Sequence, residues 1–231
     1  PNLRTALRDF AAASPLSANR GAGIPGCPSY HPHVDGTFDP KTKSNDLGER
    51  MARISIIDRA DMNAEQARVY DAAKQSTGVV GGPYYAYIRL PALFEACQNL
   101  RNCLGSGPLS DREQQIVNLA VARHYNAHYP WFAQVRRSLA VGIGQPIIDA
   151  INARKAPSLA DAREQTCWVV ARELLASNSL SDATYAAAEK ALGLESLVAL
   201  VATTGSFSTT CLTANTFAID PPPDNPTPLA A

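Results

Sequence analysis

The alternation of polar and apolar positions along this chain is helical wherever it is regular. Leu109 to Gly144 carries the clearest pattern. Ser110 and Glu113 form the S-x-x-E of a capping box, which predicts a helix from about Asp111. Ile116, Leu119, Ala120 and Val121 then recur at helical spacing, with Arg112, Gln114 and Arg123 elsewhere around the helix. A break follows near Tyr125-Asn126, where Asn126 is a good N-cap, or at Tyr129/Pro130, because a proline fits only in a first turn. Either boundary puts His128 at or beside the start of a second helix.

The flanking segments read the same way. Asn63 with Gln66 predicts a capped helix through about Lys74, and Gly78 to Tyr85 a flexible, aromatic-rich connection. Pro91 sits at the first position of a helix that places Leu93, Phe94, Cys97, Leu100, Cys103 and Leu104 on one face. Pro146 opens a short helix with Ile147, Ile148 and Ile151. Ser158 with Asp161 caps one that carries Trp168, Val169, Leu174 and Leu175. Ser181 and Gly193 bracket another. Leu197 to Phe217 is apolar almost all round, the pattern of a helix buried in a core or a subunit interface. No strand or repeat pattern is present, so the expected class is all-α. The proline-rich tail 221–231 is expected to be an extended arm. Residues 1–50 are dense in Pro, Gly, Ser and Asn and form an irregular N-terminal extension to a domain spanning 51–220. Met51 in ERMARISIIDR looks like a natural start, and Leu3, Leu7 and Phe10 with Arg4, Arg8 and Arg20 give the extension a faint transit-peptide character.

Composition narrows the partners. The 231 residues hold 21 basic and 21 acidic side chains, which gives no electrostatic reason for nucleic acid or an anionic membrane as partner. No apolar run is read as reaching the ~20 residues of a membrane span. Five widely spaced cysteines suit reduced thiols and a cytoplasmic setting. His31, His33 and Asp35 make an H-x-H-x-D string that reads as a solvated, proline-bounded loop; a metal site needs further ligands, and only 4 histidines exist.

The residues Arg112 to Ala133, R-x-x-x-I-x-x-L-A-x-A-R-H-x-N-A-x-Y-x-W-x-A, resemble the carboxymuconolactone decarboxylase family, whose other branch is the alkylhydroperoxidase D-like proteins. GPYYAYIRLPALFEA, GIGQPIIDAI, ARELLASNSLSDATYAAAEKALG and LTANTFAI extend the resemblance over about residues 52–220. It implies a helical bundle of the alkylhydroperoxidase D-like type and a homo-oligomer, a trimer or a hexamer built from trimers. The peroxidase branch uses a Cys-x-x-Cys at the start of the second helix, where this chain has Ala127 and Pro130. A thiol peroxidase of that kind is therefore excluded. The decarboxylase-like branch places acids at the positions of Gln115 and Pro130 and a histidine at that of Gln134, so all three proton-transfer groups are replaced.

What remains is His128, the candidate catalytic residue, because a histidine titrates near neutral pH. Gln115 and Gln134 are candidate substrate-orienting amides, Tyr129 and Trp131 candidate pocket walls, and His124 a polar neighbour. Arg89 is a candidate carboxylate clamp. The resemblance implies a cofactor-independent, lyase-like enzyme. Its substrate would be a small carboxylated or lactone-like ring, as in aromatic-compound catabolism, with no metal. The competing expectation is a catalytically silent relative that binds a ligand or builds an assembly. A closed cavity around His128 would favour the enzyme; an exposed His128 favours the silent relative.

Overall fold

Residues 52–77, 80–223 and 225–230 are described by a computed structural model, and among them the only regular structure is helical. After a 3-10 turn at Arg59–Asp61 come α1 (Ala64–Thr77), α2 (Tyr84–Tyr87), α3 (Pro91–Gly105), α4 (Asp111–His124) and α5 (His128–Ala140). They are followed by α6 (Gln145–Asn152), α7 (Ala162–Ser177), α8 (Asp182–Leu192) and α9 (Leu194–Thr216). The H-x-H-x-D string and the rest of the N-terminal extension lie outside the described residues.

Local chemistry sets the helix starts. Ser110 accepts from the Glu113 N–H at 3.2 Å while Glu113 accepts from the Ser110 N–H at 2.7 Å, completing the expected capping box. Asn63 and Gln66 make the same reciprocal pair. Ahead of α7 the cap is Asp161, not Ser158: its carboxylate accepts from the N–H groups of Arg163 and Glu164. A carboxylate adds charge to the hydrogen bond at a helix start, which a serine three residues earlier cannot do.

Helix ends follow one device. After α4, α5, α6 and α9 the chain steps through a left-handed residue, respectively Asn126, Gly142, Arg154 and Ala218. In each case the next residue's N–H reaches back to a carbonyl inside the helix, as Ala127 N–H does to Ala122 at 3.0 Å. Asn126 thus terminates α4 with φ 49°, and Ala127 is the N-cap of α5. This corrects the expected N-cap role. An asparagine tolerates the left-handed region and serves a helix end as readily as a start.

α4 is the axis of the bundle. It packs against α5, α7 and α9, and more lightly against α6. Its Ile116, Val117, Leu119, Ala120, Val121 and Ala122 are all buried, so apolar contact surrounds the helix instead of following one stripe. Trp131, Ile148, Val170, Leu200 and Cys211 close the same core from the neighbouring helices. A second, smaller cluster of Val69, Ala73, Tyr87, Ile88 and Phe94 holds α1, α2 and α3 together. The Tyr87 hydroxyl, 3.0 Å from Thr213 Oγ1, ties this cluster to α9.

Two expectations about helix faces change. On α3 only Phe94 and Gln98 are buried, while Leu93, Leu100 and Cys103 are exposed. α3 meets its neighbours along a narrow line, too narrow to cover the face the spacing predicts. α9 is long and apolar enough by composition to cross a membrane, with mean hydropathy 1.4, so the expectation that no segment qualifies is corrected. In the bundle it is a core helix on one side only: Leu194, Val198, Val201 and Leu212 point outward, Val198 with 61% exposure. The described part of the C-terminal tail is without helix, turns where the Asn225 N–H donates to Pro222 O, and docks back on the bundle. Trp131 Nε1 donates to Thr227 O at 3.0 Å, and Asn152 donates to Pro228 O and accepts from the Ala230 N–H.

Among the described residues, all of which follow Met51, the two clusters already form an apolar core. Deleting residues 1–50 should therefore leave a helical, cooperatively unfolding protein, since apolar burial is the main stabilising term. Far-ultraviolet circular dichroism with a thermal melt checks this. Loss of the sigmoidal transition would mean that the extension belongs to the core.

Candidate functional site

The seam between α4 and α5 is fixed from both ends of α4. At its start, two ion pairs tie it to the start of α7. Glu113 accepts from Arg163 Nε at 2.7 Å, and Glu164 accepts from Arg112 at 2.5 and 3.1 Å. The carboxylate side chains are 4% and 9% exposed and their arginine partners 39% and 36%. Both acids lie in first turns, where the helix dipole favours negative charge, and their hydrogen bonds raise the pKa of both guanidiniums. Glu113 is thus a structural acid.

At the other end the link Tyr125–Ala127 turns the chain so that α5 runs back along α4. Asn118 and Gln134 are equally far from Asn126 in sequence, so they stand at the same level of this hairpin, with Gln115 and Ser138 one turn further down. The Oε1 of Gln115, the Oδ1 of Asn118, the Oε1 of Gln134 and the Oγ of Ser138 are all buried without a hydrogen-bond partner among the described residues. Thr203 Oγ1, on the neighbouring α9, shares this condition. A buried polar atom left unpaired costs roughly 1–3 kcal/mol. Four such atoms on the paired helices α4 and α5 mark a place that a ligand with hydrogen-bond donors would suit; Gln98 Oε1, on α3, is unpaired as well. Gln115 and Gln134 were legible as candidates from their positions; Asn118, Ser138 and Thr203 were not, because only packing reveals which polar side chains lose water.

The remaining candidates are dispersed. His128 is the first residue of α5 and is exposed. Arg89 is exposed, and its guanidinium is already engaged by Tyr85 O at 2.6 Å, Ser55 O at 2.6 Å and Ser55 Oγ at 3.2 Å. It staples the segment before the first helical turn to the end of α2. Trp131 is fully buried and belongs to the core. Tyr129 packs against Gly81 and Gly82: a Cβ on Gly82, whose φ is 62°, would lie 2.2 Å from the ring. Only glycine permits that approach. Burial pushes the Tyr129 phenol up to about 12. His124 is exposed at the last residue of α4, its ring 4.8 Å from that of Tyr125. Partial desolvation and the guanidiniums of Arg172 and Arg154 lower its pKa below the ordinary 6.5.

Three of the described thiols, Cys97, Cys167 and Cys211, sit in the wrong surroundings for peroxide chemistry, which needs a stabilised thiolate. Burial pushes Cys167 up to about 12 and raises Cys211 and Cys97 as well. No group of three metal-ligating side chains occurs among the described residues.

No protein-family model and no curated protein matches the chain. Solved structures do. An uncharacterized peroxidase-related protein from Ralstonia eutropha JMP134, described as an alkylhydroperoxidase AhpD core, superposes with a TM-score of 0.64 at 18% identity. It covers 78% of this chain and 100% of its own. An uncharacterized peroxidase-related protein from Silicibacter sp. TM1040 gives 0.65 at 17% identity, covering 80% of this chain and 100% of its own. The all-α fold is therefore that of the AhpD core. At these identities the likeness is one of fold.

Two outcomes follow from the geometry. Glu113→Ala removes the acceptor for both the Ser110 N–H and Arg163, and should cost about 2–4 kcal/mol; chemical denaturation measures it directly. His124 binds protons less readily in the folded protein than in the unfolded chain. Its contribution to stability is therefore present above pH 6.5 and is lost as pH falls from there through the depressed value. Melts between pH 5 and 7 should show a shallower pH dependence in His124→Gln; an unchanged slope would show that His124 carries none of it.

Proposed function

We propose that this chain is an AhpD-fold protein without thiol or acid-base machinery, which binds a small, uncharged polar molecule at the α4–α5 seam. One observation carries the reading: Gln115 and Asn118 on α4, and Gln134 and Ser138 on α5, present buried oxygens with no partner among the described residues. Amides and hydroxyls recognise donors and orient them, and they do not exchange protons near neutral pH. An uncharged ligand suits the seam, because a charge buried there would meet no opposite charge.

A second reading rests on His128. At the first position of α5 it is open to solvent and beside the half-buried Tyr129. With Gln115, Pro130 and Gln134 at the resembling family's proton-transfer positions, elimination leaves it as the proton carrier of a cofactor-independent lyase acting on a carboxylated or lactone-like ring. Arg89, bound to backbone oxygens, would need to release them before it could hold a substrate carboxylate.

Assembly belongs to the same proposal. The outward row Leu194, Val198, Val201 and Leu212 on α9 favours a homo-oligomer, such as a trimer or hexamer, in which this row is covered. Val198→Glu with Val201→Glu should dissociate it without unfolding the bundle, as read by analytical ultracentrifugation. A wild-type protein that sediments only as a monomer at micromolar concentration would remove the proposal.

The binding reading is tested on the seam itself. Small molecules released from freshly purified protein by denaturation, and identified by mass spectrometry, should diminish in Gln115→Leu/Gln134→Leu. The unliganded variant should be as stable as wild type or more so, because replacing unpartnered amides by apolar side chains removes a desolvation cost. If instead a lactone or carboxylated ring is turned over, and His128→Ala slows that turnover by ~10²–10⁴-fold, the enzymatic reading replaces this one.

A further inference from the structure

A second candidate site lies on α7, apart from the α4–α5 seam and independent of any ligand bound there. Between the end of α6 and α7 is a shallow cleft of about 390 Å³, lined by Arg154, Ala156, Trp168, Val169, Arg172 and Glu173. The guanidinium of Arg172 lies over the Trp168 ring, 5.6 Å from its centroid, and this contact fixes its direction. Arg154 occupies the left-handed position that ends α6, with φ 59°, where glycine is the usual residue. Its Nη2 donates to Asn126 Oδ1 at 2.8 Å, an oxygen that also accepts from Arg123. Arg123 is buried, and its Nε donates to Asn152 O at 2.6 Å. His124 lies close enough to Arg172 and Arg154 for both to disfavour its protonation.

Four basic side chains thus collect around the last turn of α4, and none of them forms an ion pair with a described acid. The carboxylate of Glu173 lines the cleft, but its oxygens are taken by the Ser181 N–H at 2.6 Å and the Thr184 hydroxyl at 2.5 Å. The carbonyl end of α4 offsets part of the positive charge. It does not supply the planar pair of acceptors that two guanidinium forks are shaped to meet.

We propose that this cleft binds a small organic oxyanion, a carboxylate or phosphate monoester on an apolar ring. Arg154 and Arg172 hold the charged group, and Val169 and Ala156 line the wall against the ring. The forks fix the oxygens in the plane of the guanidinium groups, and the apolar wall distinguishes such a ligand from a bare inorganic ion.

The test is isothermal titration of the full chain with benzoate, phenyl phosphate and inorganic phosphate at low ionic strength, where exposed charges are least screened. Saturable binding of benzoate or phenyl phosphate is expected, with the stronger of the two assigning the head group. Arg172→Gln and Arg154→Gln should each weaken it roughly tenfold to a hundredfold, the effect of losing a charge-assisted hydrogen-bonded pair. Because Arg154 also ties down Asn126, Val169→Glu supplies a variant that leaves every arginine in place. It puts a carboxylate on the exposed wall and should abolish binding, whereas the remote Lys190→Gln should leave it unchanged. Inorganic phosphate binding as well as the ring compounds would overturn the apolar part of the proposal. Absence of saturation by ~10 mM, or equal binding in wild type and Val169→Glu, would overturn the site itself.

Discussion

A helix enclosed by others can keep polar side chains only if its charges and its ends are met, because burial strips them of water. α4 is that helix here, and the arrangement of the bundle follows from how its ends are met. At the start, the capping box and the Glu113–Arg163 and Glu164–Arg112 pairs answer the free N–H groups and hold α7 alongside. At the end, the left-handed Asn126 turns the chain, and its side-chain oxygen accepts from Arg123 and Arg154. Those two anchorages decide which face of α4 meets α7 and which meets α5. They therefore also decide that the amides of Gln115 and Asn118 lie in the α4–α5 hairpin.

The electrostatics of α4 are polarised along its length. Acids gather at the N-terminus and cations at the C-terminus, each in the sense the helix dipole favours. The two ends differ in completeness. At the start Glu113 has an arginine in hydrogen-bonding contact, whereas Arg123 and Arg154 at the end share one asparagine oxygen, and Arg123 also meets a backbone carbonyl. Between them the seam is uncharged. The cleft beside the C-terminal end of α4, between α6 and α7, thus offers charge-based recognition and the α4–α5 seam hydrogen bonding, which is why two ligand classes are proposed for two places. The thiols fall in neither place, and desolvation keeps Cys167 and Cys211 protonated.

Covering is the unsolved part of this fold in a single chain. The docked tail shields Trp131 and the α6 end through Thr227, Pro228 and Ala230. None of the described residues performs that service for the outward row of α9. A helix with one buried and one exposed apolar side has an overall composition close to that of a membrane span, and its packing separates the cases better than its hydropathy.

What the sequence determined by itself was local. The 3.6-residue period, the S-x-x-E of Ser110 and Glu113, the Asn63–Gln66 pair and the prolines at helix starts act within a few residues, so the helices and the all-α class were legible. Ala127 and Pro130, standing where the resembling family has its Cys-x-x-Cys, were legible too. Tertiary structure decided everything that depends on which side chains lose water together. It made Asn126 a helix end instead of a cap, occupied Arg89 with backbone oxygens, left His128 exposed, and isolated the oxygens of Asn118, Ser138 and Thr203. It also brought Arg123, His124, Arg154 and Arg172 to one point, although 49 residues separate the first from the last. Desolvation and charge proximity are properties of packed neighbours in space, and no periodicity along the chain encodes them.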